Sequence, residues 1–588
     1  MLPRFCFAQD IANDLETVGQ QAGIQTAESL PVVIGRIIRI VIGFMGVVLL
    51  GIIIYAGWLW MTAGGEAEQI EKAKKWMVNG IIGLVIMLFA YSIVTFIINR
   101  LTQEGIITQG GPYAGYGQGG GGYGGGALGP GGIIEDHYPE RDATNVPRNT
   151  FIMVKFYEPL KPETVMFDAA PCAQGSEQLC GAINWSNIRI FESDRAGDDG
   201  EPPSAQADLI TAGTMTLTAD KKTLFFKPAE FLGSANIDVV HTVYLTSGLQ
   251  KENGSNVFDE YNEYAWIFTT GTYVDETPPQ VISVAPRNQQ NPAFQFFANS
   301  IIQINFNEPV LPPPDTETSG TDADAGKIIR IGFTRDNQLF YVAGTFNTGL
   351  NRFRTIEFIP LEDCAGAALN SCGEIPKCLP KGVTVTPYIR SASVQNGLTA
   401  FPFDGLVDTA GNSLDGNYDG QSQGPSADDF SWSFETSSVL DLTPPVIDST
   451  EPSNVQGEVA VDAPVIADFN EGLSAASASS RNVFLTGDHW SKWYVVHFEN
   501  VQAAPDENGQ STTTTNNDVL VISHGDFDKA PEPVEGQIAN PYKYYPIITN
   551  RIRDLQQNCY YPCAGPGCAS PNPSCCQGQS QAAPGCGF

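Results

Sequence analysis

The sequence predicts a hairpin of two membrane-crossing helices followed by an all-β region of three antiparallel β-sandwiches in tandem. Three observations carry this. Two uncharged apolar runs, each about as long as a bilayer core is thick, stand near the start. Short motifs recur along the rest of the chain, two of them at a spacing of 166 residues. Ahead of one recurring motif, apolar side chains alternate with others at the period of a strand that turns one face to a core.

Residues 1–8 read as the remnant of a secretory signal. Small residues at Cys6 and Ala8 precede a cut, and the charged and apolar parts of such a signal are expected upstream. Residues 9–105 form the hairpin. Val41 to Trp60 carries no charge, and its twenty residues span about 30 Å as a helix. Trp76 to Ile98 is a second such run, and Trp58, Trp60 and Trp76 fall where a membrane interface holds indole rings. Gly64-Gly65 breaks the first helix. Glu68 with Lys72 and Glu71 with Lys75 are i,i+4 pairs that restart it. Lys72, Lys74 and Lys75 in the loop balance Arg36, Arg39 and Arg100 on the other side, so charge leaves the orientation open. The cysteine-rich β region and the signal remnant place both termini outside and the loop in the cytoplasm.

The run Ile53 to Gly65, with Lys72-Ala73-Lys74-Lys75, Asn79 to Ile86 and Ala90-Tyr91, resembles the small two-span pilins of conjugation-type (type IV) secretion systems, including pilin-like forms of Patescibacteria. The resemblance covers about residues 9–105. It implies a cleaved signal, outward termini and helical polymerisation with membrane lipid. Those pilins end soon after the second span, whereas this chain continues to residue 588.

Residues 106–132 are a linker. Between Gly110 and Gly132 fourteen of twenty-three residues are Gly, which cannot build a core. As a coil that stretch reaches roughly 25–30 Å.

Repeats organise the remainder. Asp275-Glu276-Thr277-Pro278-Pro279 returns as Asp441-Leu442-Thr443-Pro444-Pro445, and Trp266-Ile267-Phe268-Thr269-Thr270 as Trp432-Ser433-Phe434-Glu435-Thr436. Phe156-Tyr157-Glu158-Pro159 returns as Phe306-Asn307-Glu308-Pro309 and as Phe469-Asn470-Glu471-Gly472. Ahead of these stand Ile152/Val154/Phe156, Ile302/Ile304/Phe306 and Val465/Ala467/Phe469, each on one strand face. Pro-Pro cannot join a central ladder and so marks a unit start. The units are 133–272, 273–438 and 439–558, followed by a cysteine-rich tail at 559–588. The Thr-Pro-Pro opening, the Phe-x-Glu-Pro strand, the turn Asp408 to Leu414 and the Trp-x-Phe-x-Thr end resemble bacterial Ig-like domains of the S-layer (SbsA-type) class. That resemblance implies spacer or adhesive modules on a cell surface and no chemistry. The first unit keeps only Lys251 to Gly254 at the turn. The third has Asp554 to Asn558 there and runs into the tail without a closing strand.

Net charge is −33, and nearly all of it lies beyond residue 105, a field that excludes nucleic acid as a partner. Asp415-Gly416-Asn417-Tyr418-Asp419-Gly420 has the D-x-N-x-D-G form of a calcium loop. Its twelfth position is Ser426 rather than Glu, with Asp428 just beyond. Asp415, Asn417, Asp419 and Asp428 are therefore the candidate Ca²⁺ ligands, and a metal-free turn is the other reading. Asp194 to Glu201 reads as a solvated acidic loop. Clustered cysteines point to disulfides in an oxidising compartment. Cys172 and Cys180 form a local pair, while Cys364, Cys372 and Cys378 leave one over. Cys559, Cys563, Cys568, Cys575, Cys576 and Cys586 lack the C-x2-C spacing of zinc sites. No catalytic constellation is found, and the Glu of Phe-x-Glu-Pro, recurring once per unit, reads as structural. The expected molecule is a two-pass cell-membrane protein with its C-terminal region outside, either structural or adhesive. Its expected partners are lipid, itself, secretion-apparatus proteins or a host or neighbouring cell surface.

Overall fold

The computed structural model describes residues 133–560 except 174–176, 197–200, 259–262, 289–294, 315–316, 396–397, 400, 454–456, 488–492, 500–516 and 530–541. Outside that range it describes Trp58 and Lys74, both helical and exposed, and the backbone of Cys575–Cys576, Gln579–Ser580 and Cys586–Gly587. The signal remnant, the remainder of both apolar runs and the Gly-rich linker lie outside the described residues. Among the described residues no helix is long and apolar enough to cross a membrane. The chain divides into Met1–Ile106 and Ile107–Phe588, and the β region belongs to the second unit.

The described β region is almost wholly antiparallel sheet. Its first repeat sets Ile134–Tyr138, Ile152–Phe156, Thr223–Pro228 and Gly213–Leu217 side by side in a sheet extended by Leu179–Ile183 and Met166–Pro171. The facing sheet is Ile188–Glu192, Val239–Leu245 and Tyr264–Thr270. The second repeat sets Val281–Ala285, Ile302–Phe306, Thr355–Pro360 and Gly344–Leu350 against Ile329–Arg335, Thr384–Ile389 and the pair Phe430–Ser431 and Phe434–Glu435. The third sets Ile447–Glu451, Val465–Phe469, Val519–His524 and Tyr494–Phe498 against Val483–Gly487, Tyr544–Ile548 and Cys586–Gly587. Counting principal strands in chain order, each repeat pairs strands 1-2-5-4 against 3-6-7. A single core fills each repeat from both sheets. In the first, Trp266, Phe268 and Tyr264 share it with Val154, Phe156 and Phe226.

The expectation that the third unit lacks a closing strand is corrected. Cys586–Gly587 pairs antiparallel with Ile547 and Ile548. An edge strand needs only a few backbone bonds, so it can form without the Trp-x-Phe-x-Thr pattern. A further mark of the repeat is a bulge in each first strand, at Ile134/Asp136, Val281/Ser283 and Ile447/Ser449. Each of these strands ends in a cis X-Pro bond: Tyr138-Pro139, Ala285-Pro286 and Glu451-Pro452.

The repeats are packed on one another. All five residues of Ile152–Phe156 and of Ile302–Phe306 are buried, whereas Val465–Phe469 alternates. In the first two strands, alternate residues fill the repeat's own core. Met153, with Phe151, meets Leu311, Phe353 and Val407 of the second repeat. Gln303 donates to the carbonyl of Leu473 in the third repeat at 3.1 Å. Lys227 Nζ lies 5.7, 5.3 and 5.5 Å from the rings of Phe151, Phe401 and Phe403, adding cation–π attraction to the first seam. The first repeat also touches the third, Tyr157 Oη lying 2.8 Å from Ser480 Oγ.

Both junctions are closed by the same hydrogen bonds. At the first, Asn149 Nδ2 donates to Asp275 O (2.8 Å) and Asp275 N to Asn149 Oδ1 (2.9 Å). At the second, Asn299 Nδ2 donates to Asp441 O (2.6 Å) and Asp441 N to Asn299 Oδ1 (3.0 Å). The turns that meet them also match. Asp408 Oδ1 accepts from Ala410 N and Asn412 N, and Asp554 Oδ1 from Gln556 N and Asn558 N. The segment 554–558, which departs from the turn pattern in sequence, is therefore the same turn in structure. Only the Asp and Asn at its two ends contribute side chains to the bonds that define it.

Candidate metal-binding loop

The loop that follows Leu414 is fixed to the body of the second repeat at several points. Asp415 N donates to Pro279 O (2.9 Å), and Tyr418 Oη to Val281 O (2.8 Å). Gly416 N donates to Asp428 O at 2.9 Å, and a Cβ on Gly416 would meet that oxygen at 2.3 Å. Glycine is therefore required for the two ends of the loop to close.

The structure brings Asp415, Asp419 and Asp428 together, one carboxylate oxygen of each lying within 4.8 Å of the others. Asn417 joins them as a donor, its Nδ2 on Asp428 Oδ1 at 2.9 Å. Ser426 N donates to Asp429 Oδ2 (2.9 Å), and Asp429 Oδ1 accepts from Ser391, so the twelfth position serves to pin the loop to its neighbour. Three carboxylates at this spacing suit a hard divalent cation. They are also satisfied by the loop itself. Asp415 Oδ2 accepts from Gly420 N (2.8 Å) and Gln280 Nε2 (2.7 Å), Asp419 Oδ1 from Gln421 N (2.9 Å), and Asp428 Oδ2 from Gly424 N (3.0 Å) and Gln423 N. Burial raises Asp428 above the usual carboxylate range, against the pull of those two N–H groups. Of Asp194 to Glu201, residues 197–200 lie outside the described residues, and Asp194 is exposed beside Arg195.

The Phe-x-Glu-Pro glutamates take different settings. Glu158 pairs with Lys251 at 3.2 Å. Glu308 is pushed up to about 8 by burial and by the charges of Asp408 and Asp275. A carboxyl held above its unfolded value of 4.5 favours the folded state at low pH, and that contribution is lost as pH rises toward about 8. In buffer stripped of divalent ions, the melting temperature is expected to fall between about pH 5 and about pH 8.5. Glu308→Gln is expected to flatten that fall, and parallel profiles for the two proteins would refute the assignment.

Three disulfides join described residues: Cys172–Cys180, Cys364–Cys378 and Cys372–Cys559. The cysteine left over in the second repeat is thus paired with the first cysteine of the tail. The tail does not form a separate set of six, because Cys559 and Tyr560 are buried in the third repeat beside the loop that carries Cys372. Cys6, Cys563 and Cys568, and the side chains of Cys575, Cys576 and Cys586, lie outside the described residues.

Residues 26–97 match the family described as Type IV secretion system pilin. No curated protein matches the chain. Among solved structures, CopC from Methylosinus trichosporium OB3b is similar at 14% identity and a TM-score of 0.14, covering 24% of this chain and 91% of that one. The S-layer protein rSbsC(31-844) is similar at 11% identity and a TM-score of 0.17, covering 86% of this chain and 61% of that one. A structure of SbsC domains 1–6 gives 11% identity and a TM-score of 0.17, covering 87% and 61%.

Proposed function

We propose that this chain is a membrane-anchored surface structural protein: a pilin-like, type IV secretion-related hairpin that carries three Ig-like sandwiches outside the cell. The observation that carries this reading is the pilin match over residues 26–97, which contains nearly all of both uncharged runs. The recurring 1-2-5-4 against 3-6-7 strand order, which is that of a seven-stranded Ig sandwich, supports the second half of the reading. Disulfides in the β region support an oxidising compartment. The tight seams suit a rigid extension better than a flexible tether. Its partners in this reading are lipid, further copies of itself and other components of a secretion or pilus apparatus.

The test uses the full chain with an epitope added after Phe588. Protease applied to intact cells is expected to remove the epitope. A cysteine placed between Lys72 and Lys75 is expected to react with an impermeant reagent only after lysis. An epitope protected until lysis would end this reading.

A further inference from the structure

We propose that the seam between the second and third sandwiches binds an acidic sugar, a uronic acid whose carboxylate meets Arg551, in an open cleft of about 550 Å³. That volume lies within the range of small-ligand sites. The second sandwich lines one side of the cleft with Ser371 and Glu374, and the third lines the other with Asn482, Asn550, Arg551 and Arg553. Cys372 and Cys559 also line it, so their disulfide holds the two sides together.

Charge at the cleft runs against that of the molecule. The chain carries a net charge of −33, whereas the cleft sets two Arg against one Glu, a net of +1 (2 − 1). Glu374 is already occupied. It accepts from Arg553 Nη1 at 2.9 Å and from Nη2 at 3.0 Å, a bidentate pair. Arg551 is exposed, and among the described residues only its backbone N–H makes a hydrogen bond, to Thr549 Oγ1 at 3.3 Å. Its guanidinium keeps all its donors for a ligand. One unshared guanidinium suits a singly charged carboxylate, which it can grip through two parallel N–H bonds. A doubly charged phosphate would leave negative charge unbalanced.

The rest of the lining calls for hydroxyls. Asn482 Nδ2 donates to Ser477 O at 2.7 Å, while its Oδ1 accepts from none of the described residues. Asn550 is half-buried, and its carboxamide has no partner among them. A sugar hydroxyl both donates and accepts, so it satisfies the Asn482 oxygen and either end of the Asn550 amide. Ile359 and Ala476 give the C–H face of a sugar ring an apolar place to rest. No aromatic side chain among the described residues lines the cleft, so an acidic peptide would find no pocket for an apolar anchor. This inference rests on the cleft alone and does not depend on the surface-protein reading.

The experiment uses the full chain in a detergent without a sugar headgroup, with sodium glucuronate and sodium galacturonate as probes. Binding is read by saturation-transfer NMR and titration calorimetry. The wild type is expected to bind at least one of the two, and added salt to weaken that binding. Arg551→Ala is expected to weaken it about tenfold or more, and Asn550→Ala roughly threefold to tenfold. Neither side chain has a partner among the described residues, so both variants should melt where the wild type does, which separates lost binding from lost folding. Arg335→Ala, an exposed position of the second sandwich outside the cleft, should bind as the wild type does. Glucose lacks the carboxylate and acetate lacks the hydroxyls, so each should bind at least about tenfold more weakly than the better uronate. Failure of both uronates to bind overturns the proposal. So does binding that Arg551→Ala retains in full. Glucose, sodium phosphate or a short polyglutamate peptide binding as tightly as the uronates would overturn it equally.

Discussion

Replacing Glu357 with alanine is expected to destabilise the contact between the second and third sandwiches by about 3–5 kcal/mol, since each buried donor that loses its acceptor costs roughly 1–3 kcal/mol. Glu357 sits on Thr355–Pro360 and is fully buried. Its oxygens accept from Ala475 N (2.5 Å), Ala476 N (3.1 Å), Ser474 Oγ (2.9 Å) and Gln303 Nε2 (2.7 Å). Burial raises its carboxyl above the usual range, and these four donors pull the other way. Alanine leaves all four donors without this acceptor, Ala476 N half-buried and the other three buried, and three of the four belong to the third sandwich. Calorimetry should show the transition of the third sandwich moving to lower temperature. Limited proteolysis should open the linker around residues 437–446. An unchanged thermogram would mean that this contact contributes nothing to the seam.

The next largest effect is expected from Cys372→Ser combined with Cys559→Ser, a loss of about 2–5 kcal/mol. This disulfide links positions 187 residues apart, against 14 for Cys364–Cys378 and 8 for Cys172–Cys180. Closing a longer loop removes more freedom from the unfolded chain, so this bond should matter most of the three. The folded seam should survive the substitution. Gln557 still donates to Asn299 O and Lys377 O, both at 2.8 Å, and accepts from Lys377 N. The expected signature is a lower unfolding midpoint with unchanged spectra. Peptide mapping of the wild type under non-reducing conditions should recover Cys372 joined to Cys559. Recovery of Cys559 joined only to tail cysteines would contradict the structure.

Much of the β architecture was legible because repetition exposes it. Pro-Pro, Phe-x-Glu-Pro and Trp-x-Phe-x-Thr each have a local physical cause, so each reads the same wherever it occurs. The turn 554–558 was missed because its bonds need only Asp554 and Asn558, and the three residues between them differ wholly from those in 408–412. The convergence of Asp415, Asp419 and Asp428 was legible in their spacing. Spacing marks Asn417 as an oxygen ligand, yet in the fold its Nδ2 faces Asp428. The orientation of an amide depends on what surrounds it, and spacing carries no information about that. The carboxylates of Asp275, Glu308 and Asp408, which meet at the first junction, were equally hidden, since they lie 33 to 133 residues apart (308 − 275 and 408 − 275).

The sequence by itself determined many of the strands, the recurrence of their motifs and the acidic, disulfide-forming character of the region. These follow from side-chain period, from proline's missing N–H and from cysteine chemistry, all of which act over a few residues. Only the tertiary structure decided that the units are packed against each other. Ile152–Phe156, Ile302–Phe306 and Val465–Phe469 all show an apolar face, but the first two are buried on both sides and the third is not. The outer faces of the first two are covered by the next sandwich, whereas that of Val465–Phe469 is only half-buried. Polar residues such as Gln303 and Asn305 look solvent-facing from their spacing, and become buried because distant segments supply their hydrogen-bond partners.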